Sequence, residues 1–136
     1  MMPAGKYYIG DLCYVLHDRW DEFCDITLTK ETVLDGEFKF QDGTSFASYT
    51  TMWGDGLYED ENGNEYGVDA GLIGCVPVDA IAEEERKNLD LGNIVEFTQP
   101  FHTSGTNRKA RKGVITFGDV RIDTDPDLDD LDDENE

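Results

Sequence analysis

Leu72-Ile73-Gly74-Cys75-Val76 is a near-continuous apolar run, and it is the strongest structural signal in the sequence. A strand that is covered on both faces lacks the apolar and polar alternation of a half-exposed strand. We therefore expect this run to be a central strand of a sheet, and we place the remaining elements around it.

Segments separated by turn-forming residues predict the other strands. These strands are expected at residues 6–9, 13–16, 26–28, 36–40, 46–51, 57–58, 66–68, 93–97, 113–117 and 120–122. Asn62-Gly63 predicts the turn of a hairpin after residues 57–58, because a tight reversal favours residues that tolerate a positive φ. A long loop is expected through residues 102–107.

Two short helices are also predicted. The first covers residues 19–25, with Asp18 as its N-terminal cap and with Trp20, Phe23 and Cys24 on one buried face. The second covers residues 78–88, where acidic residues come first and basic residues last, as the helix dipole favours.

These elements predict a compact α+β domain, mostly antiparallel β-sheet, over residues 1–121. Residues 122–136 hold nine acidic residues and no basic one. Such a segment buries too little apolar surface to offset the entropy lost on ordering. We expect it to be a disordered acidic tail.

The charge of the chain excludes one class of function. Its 136 residues include 31 Asp and Glu against 11 Lys and Arg, a formal charge of −20. Recognition of nucleic-acid phosphates relies on concentrated Lys and Arg, so direct binding to nucleic acid through a basic face is not expected. Between Phe40 and Glu85 there are eleven acids and no Lys or Arg. This stretch is where we expect a functional charged surface.

The sequence also predicts a compartment. No secretory signal is recognisable at the start of the chain, and no apolar run approaches the roughly 20 residues of a membrane span. Cys13, Cys24 and Cys75 are odd in number, widely spaced and set among apolar neighbours. They are typical of small buried hydrophobic residues in a reducing compartment, so we expect a cytoplasmic protein with no disulfides and no membrane contact.

Metal-binding patterns are weak. His17 and His102 are the only histidines, and no two cysteines have the spacing of a zinc site. If Gly63 is taken as the sixth position of a calcium loop, Tyr58 occupies the first, where an EF-hand needs an acid. We expect no metal and no other cofactor.

Catalytic patterns are equally weak. Candidate nucleophiles are Cys13, Cys75, Ser104 and Thr106, with His102 as a base. No motif joins them to each other or to an acid, so an enzyme is not expected.

Arg108, Lys109, Arg111 and Lys112 form a short basic cluster. Acidic sequence on both sides opposes its approach to a polyanion, and the acidic tail can fold back on it as an intramolecular counterion. Alternatively, the same cluster is the only segment that offers cations to an anionic small molecule such as a nucleotide.

Three sequence blocks carry a resemblance to a known group. They are GKYYIGDLCYV at residues 5–15, WDEFC at residues 20–24, and residues 54–74, which begin GDGLY and end GVDAGLIG. These blocks resemble a group of small uncharacterised proteins encoded by tailed bacteriophages, over roughly residues 5–77. In that group a proline often follows the first Gly-Asp pair, where this chain has Leu12. The resemblance implies no activity, but it implies a setting, the cytoplasm of an infected bacterium.

The leading functional hypothesis is a non-enzymatic accessory or anti-defence protein that binds and inhibits a basic host protein as a DNA mimic. Carboxylates spaced along a rigid element can imitate phosphates, and a basic groove attracts them at long range. The candidate partner-binding residues are Asp42, Asp55, Glu59, Asp60, Glu61, Glu65, Asp69, Glu83, Glu84 and Glu85.

Other hypotheses remain open beside this one. A binding sponge for a nucleotide signal would use Arg108, Lys109, Arg111 and Lys112. In a virion or assembly component, the negative charge would serve solubility and assembly. The sequence does not predict an oligomeric state.

Overall fold

The structure of the chain, a computed structural model, describes residues 1–28, 34–51, 56–69, 71–105 and 113–124. Within these ranges there are ten strands, one α-helix and four 3₁₀ helices. The strands are β1 (Gly5–Gly10), β2 (Gly36–Lys39), β3 (Ser45–Thr50), β4 (Gly56–Glu59), β5 (Glu65–Val68), β6 (Leu72–Pro77), β7 (Asn93–Phe97), β8 (Thr103–Ser104), β9 (Val114–Phe117) and β10 (Val120–Asp123). The α-helix, α1, is Trp20–Thr27, and the 3₁₀ helices are Leu12–Tyr14, His17–Arg19, Val78–Ala80 and Glu83–Leu91.

The main sheet has five strands in the order β2-β3-β6-β1-β7, and all of its neighbouring pairs are antiparallel. β6 is the middle strand, and its residues from Leu72 to Val76 are all buried. The prediction of a central strand at residues 72–76 is therefore confirmed, and so is the mostly antiparallel α+β fold.

Each face of the main sheet is covered by a different layer. Side chains of a strand alternate between faces, so Tyr7 and Ile9 of β1 lie in one core and Tyr8 lies in the other. The first core is closed by the β4–β5 hairpin and by the three-stranded sheet β10-β9-β8. An isolated bridge between Asp60 and Ile122 links these two small sheets.

α1 and the 3₁₀ helices cover the second face. Phe23 is buried, with Trp20 and Cys24 packed beside it in the same core, as the helical spacing predicts. The predicted cap is wrong, because α1 begins after Arg19 with no side-chain cap and a 3₁₀ turn at His17–Arg19 precedes it. α1 also extends through the predicted strand at residues 26–28 as far as Thr27, whose buried hydroxyl donates to Phe23 O at 2.9 Å.

The predicted strand at residues 13–16 is also wrong. Leu12, Val15 and Leu16 are fully buried, and their i, i+3, i+4 spacing matches a helical turn rather than a strand. The Asp11 side chain accepts a hydrogen bond from Cys13 N and so starts a 3₁₀ helix at Leu12–Tyr14.

The predicted helix at residues 78–88 is divided into two 3₁₀ helices, Val78–Ala80 and Glu83–Leu91. Ile81 interrupts them with an extended backbone, at φ −86° and ψ 129°. Its side chain is 2% exposed, so the extended conformation places it in the core between the two helices.

The predicted boundary between domain and tail, at residue 122, lies too early. Ile122 and Thr124 are fully buried, and Thr124 donates to Gly113 O from both its N–H and its hydroxyl. The folded part therefore extends at least to Thr124, because Ile122 fills the first core. Residues 125–136 lie outside the described residues.

The predicted loop at residues 102–107 contains a short strand, because Thr103 and Ser104 pair with Phe117 and Thr116 of β9.

In the part of the chain that the structure describes, no helix is long and apolar enough to cross a membrane.

Candidate functional site

The ten predicted partner-binding acids do not form one surface. Asp55 lies outside the described residues. Of the others, three have structural roles within the chain, and the exposed remainder divides between the two layers that cover the main sheet.

Asp42 is held by an ion pair. It lies in the turn between β2 and β3, where its carboxylate accepts from Arg19 Nη2 at 2.7 Å and from Thr44 N at 2.9 Å. The hydrogen bond from Arg19, followed by those from Thr44, holds the pKa of Asp42 well below its usual range. Arg19 in turn stacks over the Phe40 ring, 4.8 Å from its centre. Asp42 thus connects the start of α1 to this turn, and its charge is compensated within the chain.

Asp60 organises the hairpin turn. Its carboxylate accepts hydrogen bonds from Asn62 N, Asn64 N, Asn64 Nδ2 and Tyr66 Oη, at 2.8 to 3.1 Å. Gly63 closes the turn, donating its N–H to Asp60 O at a φ of 84°. Partial burial alone would raise the pKa of Asp60, but the hydrogen bonds from Tyr66 and Asn64 outweigh it and lower the pKa. All four donors stabilise the charged carboxylate, which is therefore committed to the turn.

The pKa of Asp60 leads to a prediction about acid stability. A carboxyl group whose pKa is lower in the folded state stabilises the fold above its unfolded pKa, and this contribution is lost as pH falls through the folded value. Asp60→Asn should therefore lower the free energy of unfolding at pH 7, and the difference from the parent chain should shrink as pH falls below about 4. Urea unfolding across this pH range measures the effect. A difference independent of pH would contradict it.

Glu85 is buried rather than exposed, which corrects its assignment to the partner-binding surface. Its side chain is 11% exposed and its Oε2 lies 2.8 Å from Nδ1 of His17. The pair joins the two 3₁₀ helices His17–Arg19 and Glu83–Leu91 within the helical layer. A buried carboxylate needs a hydrogen-bonding partner, and His17 is that partner for Glu85. The Glu85 carboxylate is therefore not available to bind another molecule.

The remaining acids of the hairpin are exposed together. Tyr58 and Tyr66 point into the core, so alternation turns Leu57, Glu59 and Glu65 to the outside. Glu59 lies directly opposite Glu65 in the β4–β5 register, and Glu61 follows in the turn. We call Leu57, Glu59, Glu61 and Glu65 the hairpin face.

Little positive charge compensates the hairpin face. Arg121 Nε lies 3.9 Å from Glu61 Oε1, at the limit of an ion pair. Within the described ranges, neither Glu59 nor Glu65 has a cationic atom within 4 Å. Leu57 is 63% exposed beside these carboxylates. The face is therefore an acidic surface with one apolar side chain.

Glu83, Glu84 and Asp69 lie elsewhere. Glu83 and Glu84 are exposed at the start of the 3₁₀ helix Glu83–Leu91, which belongs to the helical layer on the other face of the main sheet. Asp69 is exposed just after β5, at a cleft of about 390 Å³ that also includes Cys13 and Trp20. These three acids are not brought together with the hairpin face.

Among the described residues the most buried acid is Asp11, which the sequence prediction missed. Its Oδ1 accepts from Cys13 N at 2.9 Å, and its Oδ2 accepts from Asp69 N at 2.7 Å. Asp11 therefore connects the segment at residues 5–15 to the chain that follows β5. The signal available in the sequence was an aspartate next to a glycine at the end of a strand, a position that often caps a following turn. The role is structural.

The candidate catalytic residues are scattered. Cys75 is buried in the first core, and burial raises the pKa of its thiol, which disfavours the reactive thiolate. Ser104 Oγ lies 2.6 Å from Thr116 Oγ1, His102 is exposed, and Thr106 lies outside the described residues. Among the described residues, no group of three or more His, Cys, Asp or Glu could hold a metal ion.

The basic cluster, Arg108, Lys109, Arg111 and Lys112, lies outside the described residues. The nucleotide hypothesis therefore stays a prediction from sequence.

Comparison of the chain with protein-family models, with curated proteins and with solved structures finds no match.

Proposed function

We propose that this chain is a non-enzymatic protein that binds a basic host protein through the hairpin face and blocks the nucleic-acid-binding surface of that protein. The setting we propose is the cytoplasm of an infected bacterium, on the basis of the resemblance of residues 5–77 to tailed-phage proteins. The chain would then act as an accessory or anti-defence factor.

The observation that carries the proposal is the pairing of Glu59 with Glu65 in register across the hairpin. Like charges directly opposite one another destabilise a sheet, so folding gains nothing from this pair. Buried Tyr58 and Tyr66, which are paired next to it, hold the two carboxylates in place. A charge arrangement that opposes folding and is nevertheless fixed by the core is well suited to binding.

The geometry of a hairpin also suits an imitation of phosphates. Side chains opposite each other in an antiparallel pair have Cβ atoms about 5 Å apart, and residues i and i+2 of a strand are about 7 Å apart. The hairpin face therefore presents several negative charges at short, fixed intervals. A basic groove would attract them over long distances, with an association rate that falls as salt rises.

Leu57 adds a source of specificity. An apolar side chain that becomes buried at the centre of a charged interface contributes affinity that salt does not screen. We expect the partner to offer a small apolar depression surrounded by Lys and Arg.

A capture experiment with two matched variants tests the proposal. The hairpin variant carries Glu59→Gln, Glu61→Gln and Glu65→Gln. The control variant carries Glu83→Gln, Glu84→Gln and Asp25→Asn, which remove the same charge from exposed positions of the helical layer. Partners captured from a bacterial lysate are identified by mass spectrometry, and capture is repeated with the purified partner and with double-stranded DNA as competitor.

We expect the hairpin variant to capture at least tenfold less partner than the parent chain, and the control variant to stay within twofold. We also expect DNA to displace the parent chain from the partner. The proposal is wrong if both variants capture the partner equally, or if DNA and the chain bind it simultaneously.

A further inference from the structure

The main sheet has two edge strands, β2 and β7. At the β2 edge, Glu37 accepts a hydrogen bond from Thr103 Oγ1 at 2.6 Å, so the β8 segment lies against it. At the other edge, β7 pairs with β1 on one side, and no strand among the described residues pairs with its other side. An uncovered edge strand offers unpaired main-chain groups to any extended chain that approaches it.

Pro77 reveals which main-chain groups of β7 point outward. In an antiparallel ladder, residues that exchange two hydrogen bonds alternate with residues that exchange none. Tyr7 lies opposite Pro77, which has no N–H, so Tyr7 cannot form a two-bond pair with β6. The main-chain groups of Tyr8 therefore face β6, and those of Tyr7 and its alternating neighbour Ile9 face β7.

The same alternation continues into β7. Val95 and Asn93 lie opposite Tyr7 and Ile9, so their N–H and C=O groups bond to β1. The N–H and C=O groups of Ile94 and Glu96 then point away from the sheet. Among the described residues, no main-chain hydrogen bond joins Ile94 or Glu96 to any other segment.

Apolar and acidic side chains lie beside this edge. Ile94 is 42% exposed and Leu91, just before the strand, is 43% exposed. Asn93 Nδ2 donates to Glu65 O at 3.2 Å, which brings the hairpin face next to the first residue of β7. Asp90 and Glu96 are also exposed at the two ends of this region.

We propose that β7 binds an extended, lysine- and arginine-rich segment of the partner as a sixth strand of the main sheet. The inference rests on the proposed function, because it names how the same basic partner is held. Main-chain bonds to Ile94 and Glu96 supply affinity, as in other cases of strand addition. Exposed apolar side chains at the edge become covered, and the carboxylates of Glu65 and Asp90 select a basic segment.

Charge complementarity decides between a basic segment and a second copy of this chain. Two copies joined at β7 would each bring a net charge of −20, so long-range repulsion opposes their association. A basic segment is attracted by the same charge.

Amide hydrogen exchange, read residue by residue by NMR, tests the inference. The probe is an octapeptide of alternating Lys and Val, with a Glu and Val octapeptide as the charge control. In the chain alone, we expect the amides of Ile94 and Glu96 to exchange much faster than that of Val95. With the Lys and Val peptide, we expect the exchange of Ile94 and Glu96 to slow at least tenfold, and with the Glu and Val peptide to stay unchanged.

Two variants separate the main-chain contribution from charge. Proline is tolerated on an edge strand where its missing N–H faces solvent, so Glu96→Pro removes one outward donor and the carboxylate, whereas Glu96→Gln removes only the charge. We expect Glu96→Pro to weaken peptide binding about fivefold or more and Glu96→Gln less than twofold. If Glu96→Pro does not fold, the exchange measurement on the parent chain decides alone.

The outcomes distinguish this inference from the proposed function. If the peptide binds and the hairpin variant abolishes binding while Ile94 and Glu96 stay unprotected, β7 is not the docking strand and the proposed function stands. If no basic peptide binds, the inference about β7 is overturned, and the capture experiment with the hairpin and control variants decides the proposed function separately. If Ile94 and Glu96 become protected without peptide as the chain dimerises, the occupant is a second copy and the inference is overturned.

Discussion

Replacing Asp11 with alanine is expected to lower the free energy of unfolding by about 3 kcal/mol, because two main-chain N–H groups lose a charged acceptor. Asp11 is fully buried, and its two carboxylate oxygens bond to Cys13 N and Asp69 N. These bonds hold the 3₁₀ helix after β1 to the chain that follows β5. Urea unfolding monitored by tryptophan fluorescence measures the loss.

Two further variants make the Asp11 prediction specific. Asp11→Asn retains one acceptor oxygen, so we expect it to lose about half as much stability. Asp69→Ala removes the side chain of Asp69 but keeps its main-chain N–H, which is the group that bonds to Asp11. We therefore expect Asp69→Ala to lower the free energy of unfolding by less than about 0.5 kcal/mol. A midpoint for Asp11→Ala equal to that of the parent chain would show that the carboxylate does not hold these segments together.

The second large effect is expected at Gly74, in the middle of β6. A Cβ added there would collide with Ala47 O of the neighbouring strand and would lie 2.7 Å from Leu12 Cδ1. The main-chain oxygen cannot move without separating β3 from β6, so we expect Gly74→Ala to lower the free energy of unfolding by about 3 kcal/mol. Thermal unfolding by circular dichroism is the measurement.

Gly43→Ala is the matched control for Gly74→Ala. Gly43 has a φ of 90°, but an added Cβ there meets nothing within 4 Å. We expect it to lose only about 1 kcal/mol, the conformational cost of a left-handed alanine. Equal losses for the two substitutions would contradict the claim that close packing of strands explains Gly74.

Local patterns in the sequence were sufficient to predict most of the strands of the sheet. The apolar run at residues 72–76 predicted the central strand, because a strand covered by a layer on each face has no polar side. The Asn62-Gly63 pair predicted the hairpin, and Gly63 does adopt the positive φ that closes it. Both signals depend on neighbours in the chain, which a single sequence records directly.

The errors occurred where distant segments determine local structure. Residues 13–16 have the β-branched and aromatic content of a strand, but Asp11 and the burial of Leu12 and Leu16 impose a 3₁₀ turn. Residues 78–88 have acidic residues first and basic residues last, as a helix favours, but Ile81 interrupts this segment because its side chain packs in the core. Ile122 belongs to an acidic run but packs in the first core. Composition alone does not record such tertiary contacts.

The candidate site was predictable as a region but not as a surface. The acidic stretch from Phe40 to Glu85 was visible in the sequence, whereas the partners that Arg19, Tyr66 and His17 provide to three of its acids depend on the fold. Once those acids are assigned to contacts within the chain, the exposed carboxylates of Glu59, Glu61 and Glu65 stand together on the hairpin face, whereas Asp69, Glu83 and Glu84 are exposed elsewhere.

The dependence of partner affinity on salt tests the central claim, that the hairpin face binds a basic protein, most directly. The dissociation constant of the captured partner is measured from low to high salt for the parent chain, the hairpin variant and the control variant. We predict that the affinity of the parent chain and of the control variant falls steeply with salt, and that the hairpin variant binds weakly with a much shallower dependence. Three parallel salt dependences would contradict the claim.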